Sequence, residues 1–352
     1  MTILVTGGAG FIGSNFVQMW LDTRDEPLIN LDKLTYAGSV ANVKRFGGNE
    51  RYQFVQGDIR DRAVVGEILR GRRPRAIVNF AAESHVDRSI YQADDFIRTN
   101  VVGTFDLLET ARTHWQGLER NEQSLFRFLH VSTDEVYGSL GPEDEPFTEL
   151  DRYQPNSPYA ATKAASDHLV RAWHQTYGLP VLTTNCCNNF GPYHYPEKLI
   201  PLIIHNALAG RPLPVYGDGE QRRDWLYVAD YCCAIVVVLE AGRSGETYNV
   251  GGSSERTNLQ VVKAVCGCLD ELKPREDGSS YFSQVSFVKD RPGHDRRYAI
   301  CARKIGDELG WRPQESFESG IRKTVAWYLE NGDWLASVTD SAYQQWIDKQ
   351  YS

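Results

Sequence analysis

The chain has 352 residues, of which 41% are hydrophobic, 24% charged and 11% aromatic. That ordinary globular composition excludes disorder, collagen-like repeats and a disulfide scaffold, and the length suits about two domains of roughly 150 residues each. The formal charge of −8 argues against nucleic acid or an anionic membrane as main partner, while a local cationic cluster could still take a small phosphorylated ligand.

Met1 leads straight into the apolar run Ile3-Leu4-Val5, with no basic leader and no small-residue cleavage site, so no targeting segment is expected. Short β-like runs at 3–6, 28–32, 52–55, 76–80 and 128–132 alternate with helix-like segments at 16–23, 62–70 and 104–115. This alternation predicts a parallel sheet with helices on both faces and ligands at the carboxyl ends of the strands. Beyond residue 190 the rhythm breaks. Pro192, Pro196, Pro201, Pro212 and Pro214 punctuate the chain, with a helix expected over 199–209 and a strand and turn over 247–252. The most apolar stretch, 234–239, is far too short to span a bilayer. Further helices are expected at 259–272, 303–309 and 320–329. The larger domain is expected over 1–187 with a return segment near 225–252, and the smaller one over 188–224 and 253–352. Seven cysteines (the adjacent pairs Cys186-Cys187 and Cys232-Cys233, with Cys266, Cys268 and Cys301) show no regular CxxC spacing. They read as free, mostly buried thiols of a reducing cytoplasm rather than as metal ligands.

The first strand ends in Thr6-Gly7-Gly8-Ala9-Gly10-Phe11-Ile12-Gly13. Gly8, Gly10 and Gly13 satisfy GxGxxG, and Gly7, Gly10 and Gly13 satisfy GxxGxxG. Glycine there permits a tight turn, close backbone approach to a pyrophosphate, and close helix–strand packing, while the helix N-terminus favours the anion. Asp32 follows the next strand, 19 residues beyond Gly13. A carboxylate at that point accepts from ribose hydroxyls and repels a 2′-phosphate, which selects NAD over NADP. Asp58 and Ile59, just past the third strand, are placed to flank the adenine. The fold class is therefore α/β, a Rossmann-type doubly wound parallel sheet with a smaller α/β substrate domain.

Tyr159 and Lys163 form YxxxK behind Ser157, a natural N-cap, and Pro158, which suits the first helical position. The i, i+4 spacing puts phenol and ammonium on one helix face, where a nearby cation stabilises the phenolate needed to oxidise an alcohol. The preceding strand ends in Ser132-Thr133-Asp134-Glu135. Its hydroxyls can hold a substrate oxygen, and two adjacent carboxyls with diverging pKa values make an acid/base pair.

Glycine loop, Ser132-Thr133 and YxxxK together resemble the extended short-chain dehydrogenase/reductase superfamily. Within it, the runs 31–38, 81–89, 185–193 and 290–294, with Asp134-Glu135, resemble the dTDP-glucose 4,6-dehydratase family up to about Leu329. One departure is Cys187, where that family usually has serine. The resemblance implies that Tyr159 takes the C4 hydroxyl proton of a nucleotide-linked glucose, Thr133 orients that oxygen, and Lys163 holds the nicotinamide ribose. It implies that Glu135 abstracts the C5 proton and Asp134 protonates the departing C6 hydroxyl. NAD is expected on Gly7, Gly10, Phe11, Ile12, Gly13, Asp32, Lys33, Leu34, Thr35, Asp58, Ile59, Phe80, Ala81, Ala82, Ser84, Thr99, Tyr159, Lys163 and Asn189. The nucleotide sugar is expected on Ser84, Thr133, Asn188, Lys198, Leu199, Pro214, Val215, Tyr216, Arg223, Asn258, Asp290, Arg291 and His294. Arg223 and Arg291 suit a diphosphate because a guanidinium offers two aligned donors. A cytoplasmic homodimer joined through helices beside the catalytic one is also implied. Other readings are another nucleotide-sugar 4,6-dehydratase, a nucleotide-sugar 4-epimerase on the same scaffold, which needs no acid pair, and, of a different class, a non-catalytic NAD-sensing or regulatory module, which needs no base.

Overall fold

A computed structural model describes residues 1–351. Its strands in chain order are β1 (Ile3–Thr6), β2 (Leu28–Asp32), β3 (Tyr52–Gln56), β4 (Ala76–Asn79), β5 (Arg127–Thr133) and β6 (Val181–Cys186), then β7 (Asn188–Phe190), β8 (Leu213–Tyr216), β9 (Arg222–Tyr227), β10 (Thr247–Val250), β11 (Glu255–Thr257) and β12 (Val285–Val288). Seven of them form one sheet, ordered β10-β6-β5-β4-β1-β2-β3, with every neighbouring pair parallel. Strands β1, β2, β4 and β6 are buried along their whole length, as apolar strands covered on both faces must be. Ile3 and Val5 point into one core with Phe16, Trp20 and Tyr231; Leu4 points into the other with Leu69, Leu107 and Val170. The strand order reverses between β1 and β4, which opens a crevice above their carboxyl ends. This is the doubly wound sheet that the sequence predicts.

The smaller unit holds a three-stranded sheet, β11-β9-β7, and a parallel pair, β12-β8. Helices Leu199–Leu208, Asn258–Leu272 and Phe317–Glu330 close over its core, which includes Ile203, Val265 and Ile321. Two stretches of chain cross back to the large sheet. Helix Val228–Ala241 and β10 form the first, and β9 stays in the smaller sheet through Tyr227, so this return begins three residues later than 225. Ile300, Ile305 and Trp311 form the second; expected in the smaller domain, they join the larger core because helix Arg303–Leu309 packs beside β10 and helix Val228–Ala241. Two C-terminal helices, Gly332–Val338 and Ser341–Tyr351, were not legible in the sequence; the last buries Tyr343 and Ile347 against Leu202. All seven cysteines are free thiols. No helix of the described residues is long and apolar enough to cross a membrane.

Candidate active site

The crevice above β1 and β4 shows which glycine motif faces it. Gly8 turns away, its N–H donating to Asn30 Oδ1 at 3.0 Å, while Gly7, Gly10 and Gly13 line the cleft. Gly7 has φ +73°, and a Cβ on it would stand 2.6 Å from Ala81 N; a Cβ on Gly13 would stand 2.3 Å from Gly7 O. Those two glycines allow the strand–turn–helix contact. A Cβ on Gly10 would meet only Gly7 O, at 3.3 Å, so this residue leaves room above the helix N-terminus at Phe11. The Asp32 carboxyl accepts from Ala9 N at 2.9 Å and Leu34 N at 2.8 Å; burial raises its pKa and those two N–H groups oppose the rise. Lys33 donates to Thr99 Oγ1 at 3.2 Å and lies 3.7 Å from Glu83 and 3.9 Å from Asp58. Of the residues expected around NAD, all line the cleft except Leu34. Leu34 takes φ +61° and packs its side chain on the core, so only its backbone serves the site. Asn189 Oδ1 is buried in the cleft without a protein partner. An anion-favouring helix end, a carboxyl at the end of β2 and a free amide acceptor fit a dinucleotide such as NAD.

At the other end of this cleft stand Thr133, Asp134, Glu135, Tyr159 and Lys163. Strand β5 carries Thr133, and the two acids open the turn behind it, where Thr133 Oγ1 accepts from Glu135 N at 3.3 Å. Ser157 caps the helix Pro158–Tyr177 by accepting from Ala160 N at 3.1 Å. Its Tyr159 N–H donates to Ser89 Oγ at 3.2 Å, and Thr162 accepts from Asn100 Nδ2 at 2.9 Å. Lys163 Nζ donates to Val131 O at 2.8 Å and lies 3.4 Å from His130 Nε2. These bonds anchor the helix to β5 and hold phenol and ammonium over the strand ends.

Burial raises the Tyr159 phenol well above its ordinary pKa, the charges of Glu135 and Asp134 push the same way, and the Thr133 hydrogen bond opposes them. The expected depression by Lys163 is absent, because that ammonium is itself desolvated, is lowered in pKa, and rests on Val131 O. The acid pair is strongly asymmetric. Asp134, 2% exposed, is held well above the carboxylate range by burial first, then by the charges of Glu135 and Asp224. Burial also raises Glu135, but Arg291, Lys198 and Arg223 all pull it back toward the anion. Asp134 Oδ2 and Glu135 Oε2 are both buried with no protein partner. The pair can hold one proton and one charge at once.

Ser84, Asn188 and Lys198 also line the cleft, and Lys198 donates to Ser84 O at 2.9 Å. The other expected substrate residues lie outside its lining. Around the cationic side of Glu135, Asp290 accepts from His294 Nδ1 at 2.6 Å, Tyr216 meets the His294 ring at 6.0 Å, and Arg291 lies 3.4 Å from Asp87. Arg291 Nε is buried and unpartnered. Arg223 differs from expectation: its guanidinium donates to Arg222 O at 2.7 Å and Asp295 O at 2.9 Å, so it supplies positive potential with most donors spent. Pro214 and Val215 are buried, Val215 in the core of the smaller unit, which leaves it only backbone to offer. Leu199 opens helix Leu199–Leu208 and packs on the same core, and Asn258 opens Asn258–Leu272 with its N–H on Gln221 O.

Sequence reasoning missed several neighbours. Glu83, His194, Tyr195 and Glu197 line the cleft, and His194 stacks on Phe11 with centroids 4.1 Å apart. Arg88 pairs with the buried Glu197 at 2.8 Å and stands between Tyr36 and Trp346, 3.7 and 4.3 Å from their ring centroids. Gln350 donates to Asp87 Oδ2 at 2.6 Å and to the Tyr216 hydroxyl at 2.8 Å. A signal existed for Glu83 and Glu197, which adjoin Ser84 and Lys198 in the chain. None existed for Trp346 or Gln350. Cys187 lines the cleft, its buried thiol close enough to Asp224 to feel that carboxyl's charge.

Comparison with known proteins now bears on this geometry. The GDP-mannose 4,6 dehydratase family matches residues 4–324. The chain is 61% identical over 343 residues to dTDP-glucose 4,6-dehydratase of Xanthomonas campestris pv. campestris, covering 97% of both chains. It is 54% identical to dTDP-glucose 4,6-dehydratase 1 of Escherichia coli, over 100% of this chain and 99% of that one. Likeness therefore continues past Leu329 to the C-terminal helices. The crystal structure of the dTDP-glucose 4,6-dehydratase DesIV from Streptomyces venezuelae, with NAD and TYD bound, matches with a TM-score of 0.87 at 48% identity, over 96% of this chain and 100% of that one. Fold, cleft and whole-length identity converge: the chain belongs to the dTDP-glucose 4,6-dehydratases, NAD-dependent hydro-lyases of the extended short-chain dehydrogenase/reductase superfamily.

Proposed function

We propose that this chain converts dTDP-glucose to a dTDP-4-keto-6-deoxyglucose and water, with the cofactor in the central-sheet unit and the nucleotide on the smaller one. The observation that carries the reading is the shielded, asymmetric pair Asp134 and Glu135 beside Tyr159. When bound, NAD accepts the C4 hydride and returns it at C6, and its pyridinium charge favours the Tyr159 phenolate. Tyr159 takes the C4 hydroxyl proton, Thr133 orients that oxygen, and Lys163 holds the nicotinamide ribose. The resulting 4-keto group acidifies C5–H. Glu135, whose burial-raised pKa is opposed by three cations, takes that proton through its free Oε2, and Asp134, pushed up further by burial and the charges of Glu135 and Asp224, delivers one to the C6 hydroxyl as water leaves. Glu135 then returns its proton to C5. Buried Arg291, with its unpartnered Nε, suits the diphosphate, and Tyr216 with His294 borders the nucleoside side.

A 4-epimerase would need no second acid, so the buried pair favours dehydration. Incubation with dTDP-glucose should give a product lighter by one water, with no accumulation of reduced cofactor. A product of unchanged mass would sink this reading, and UDP-glucose in parallel tests the preference for dTDP. The reading includes a cytoplasmic homodimer joined through helices Thr104–Gln116 and Pro158–Tyr177, whose neighbouring residues Val102, Phe105 and Tyr177 are exposed apolar groups. A monomer by light scattering would refute that assembly.

A further inference from the structure

We propose that Gln350, reaching back from the last helix, holds the Asp87–Arg291 ion pair open, so that the Arg291 guanidinium keeps a donor edge free for the substrate's diphosphate. This rests on the reading that Arg291 meets the diphosphate, and adds to it a positioning residue.

In helix Ser341–Tyr351, helical spacing puts Tyr343, Trp346, Ile347 and Gln350 on one face. The first three are anchors. Tyr343 and Ile347 are buried against Leu202, the Tyr343 hydroxyl donates to Pro196 O at 3.0 Å, and the Trp346 ring centroid lies 4.3 Å from the Arg88 guanidinium. A glutamine that completes such a stripe needs polar partners where it lands. Gln350 has them: its Nε2 donates to Asp87 Oδ2 at 2.6 Å and to the Tyr216 hydroxyl at 2.8 Å. A carboxylate only accepts, so the nitrogen of the amide is the end that must face it.

The ion pair beyond that contact is half made. Arginine and carboxylate favour two parallel hydrogen bonds, the guanidinium fork against both oxygens. Here only Arg291 Nη1 meets Asp87, at Oδ1 and 3.4 Å, and Arg291 Nε is buried without a partner. Asp87 is 6% exposed, so bulk water is not what keeps the second bond from forming. Its Oδ2 is engaged from the other side, by Gln350 Nε2 at 2.6 Å, the Tyr216 hydroxyl at 3.5 Å and His85 Nε2 at 3.9 Å. Gln350 makes much the shortest of these contacts, and by donating to the Tyr216 oxygen as well it leaves that hydroxyl's proton for Asp87. Without Gln350 the carboxylate is free to turn and close on Nη1 and Nε together. A diphosphate would then have to win its donors back from a buried two-bond ion pair. With Gln350 in place the diphosphate meets Nε unspent, and Asp87 keeps donors on Oδ2 when the ligand draws Arg291 away.

The test is Gln350→Leu, which keeps a side chain of similar size on the helix face and removes the donor, made alone and together with Asp87→Asn. Calorimetry on the NAD-loaded proteins compares dTDP with thymidine, which lacks the diphosphate. The leucine variant should bind dTDP about tenfold more weakly and thymidine as the parent does, because only the diphosphate draws on Arg291. In turnover, KM for dTDP-glucose should rise by a similar factor with kcat little changed. The amide introduced by Asp87→Asn has one acceptor oxygen and cannot close the fork, so in that background Gln350→Leu should weaken dTDP binding no further. Unchanged dTDP affinity in the leucine variant would overturn the proposal. Equal weakening of dTDP and thymidine, or a loss that persists in the Asp87→Asn background, would also overturn it and confine Gln350 to seating the helix. Arg291→Lys tests the underlying reading separately: parent-like dTDP affinity in that variant would mean that Arg291 does not meet the diphosphate.

Discussion

Along the proposed cofactor side of the cleft, Gly7–Gly13 follow β1, Asp32 ends β2 and Asp58 stands two residues past β3, all in one sheet, and Asp32 is held by backbone N–H groups of Ala9 and Leu34. The proposed substrate side gathers Asp87, Lys198, Tyr216 and the Arg291–His294 turn from separate segments, and its charged groups already pair with one another: Arg291 with Asp87, His294 with Asp290. The first side is shaped by backbone, which only a Cβ or a lost carboxyl can disturb. The second is a set of compensated charges, in which a conservative exchange keeps the potential and loses only aim. The acid pair sits where the two meet, lining the cofactor cleft while feeling Arg291, Lys198 and Arg223 from the other side.

Variants can break this contrast. The largest effect belongs to the junction: Glu135→Gln should slow dehydration about a thousand-fold while leaving part of the C4 oxidation, seen as reduced-cofactor absorbance after mixing with substrate. Dehydration at the parent rate would assign the C5 base elsewhere. Next comes the backbone side. Gly13→Ala places a Cβ 2.3 Å from Gly7 O and 2.8 Å from Gly8 Cα, so the loop must shift. Overpacking of about 1–3 kcal/mol corresponds to roughly 5- to 150-fold weaker NAD binding, measurable by calorimetry. On the charge side, Arg291→Lys keeps the cation and loses the planar fork, so KM for dTDP-glucose should rise about tenfold with kcat little changed. A fall in kcat with KM constant would mean that Arg291 acts on the acid pair rather than on the diphosphate.

The smallest effect is on stability. Burial holds the Asp134 pKa above its unfolded value, so as pH rises the unfolded chain loses this proton first and the folded state loses ground. Asp134→Asn removes that loss. The inactive variant should melt about 2 °C or more above the parent near pH 7, with the gap closing below about pH 4, in thermal melts across that range. An equal melting temperature at both ends would show that Asp134 is not strained by its burial.

Much of the cofactor side was legible because its chemistry is local. A strand, a glycine turn and a helix start occupy one continuous run, and Asp32 ends the next strand. YxxxK was legible for the same reason, since helical periodicity alone puts Tyr159 and Lys163 on one face. Helix Phe11–Thr23 begins five residues earlier than its apolar pattern because Gly10 ends the turn and Gly13 packs against Gly7. Arg223 shows the limit: a guanidinium identifies a charge, but its donors were already committed to backbone carbonyls, Arg222 O beside it and Asp295 O and Arg296 O more than 70 residues away.

Composition, periodicity and short motifs, all set by neighbours along the chain, determined the doubly wound sheet, the dinucleotide turn, and the identity of the tyrosine, lysine and two acids. Tertiary structure alone decided which glycine triplet faces the cleft, that Arg291 and Lys198 act on Glu135 while Arg223 acts on both acids, that burial raises the Tyr159 phenol, and that the last helix reaches back to Arg88 and Asp87. A pKa depends on the desolvation and charges that surround a group in space, and those arise only when remote segments pack together.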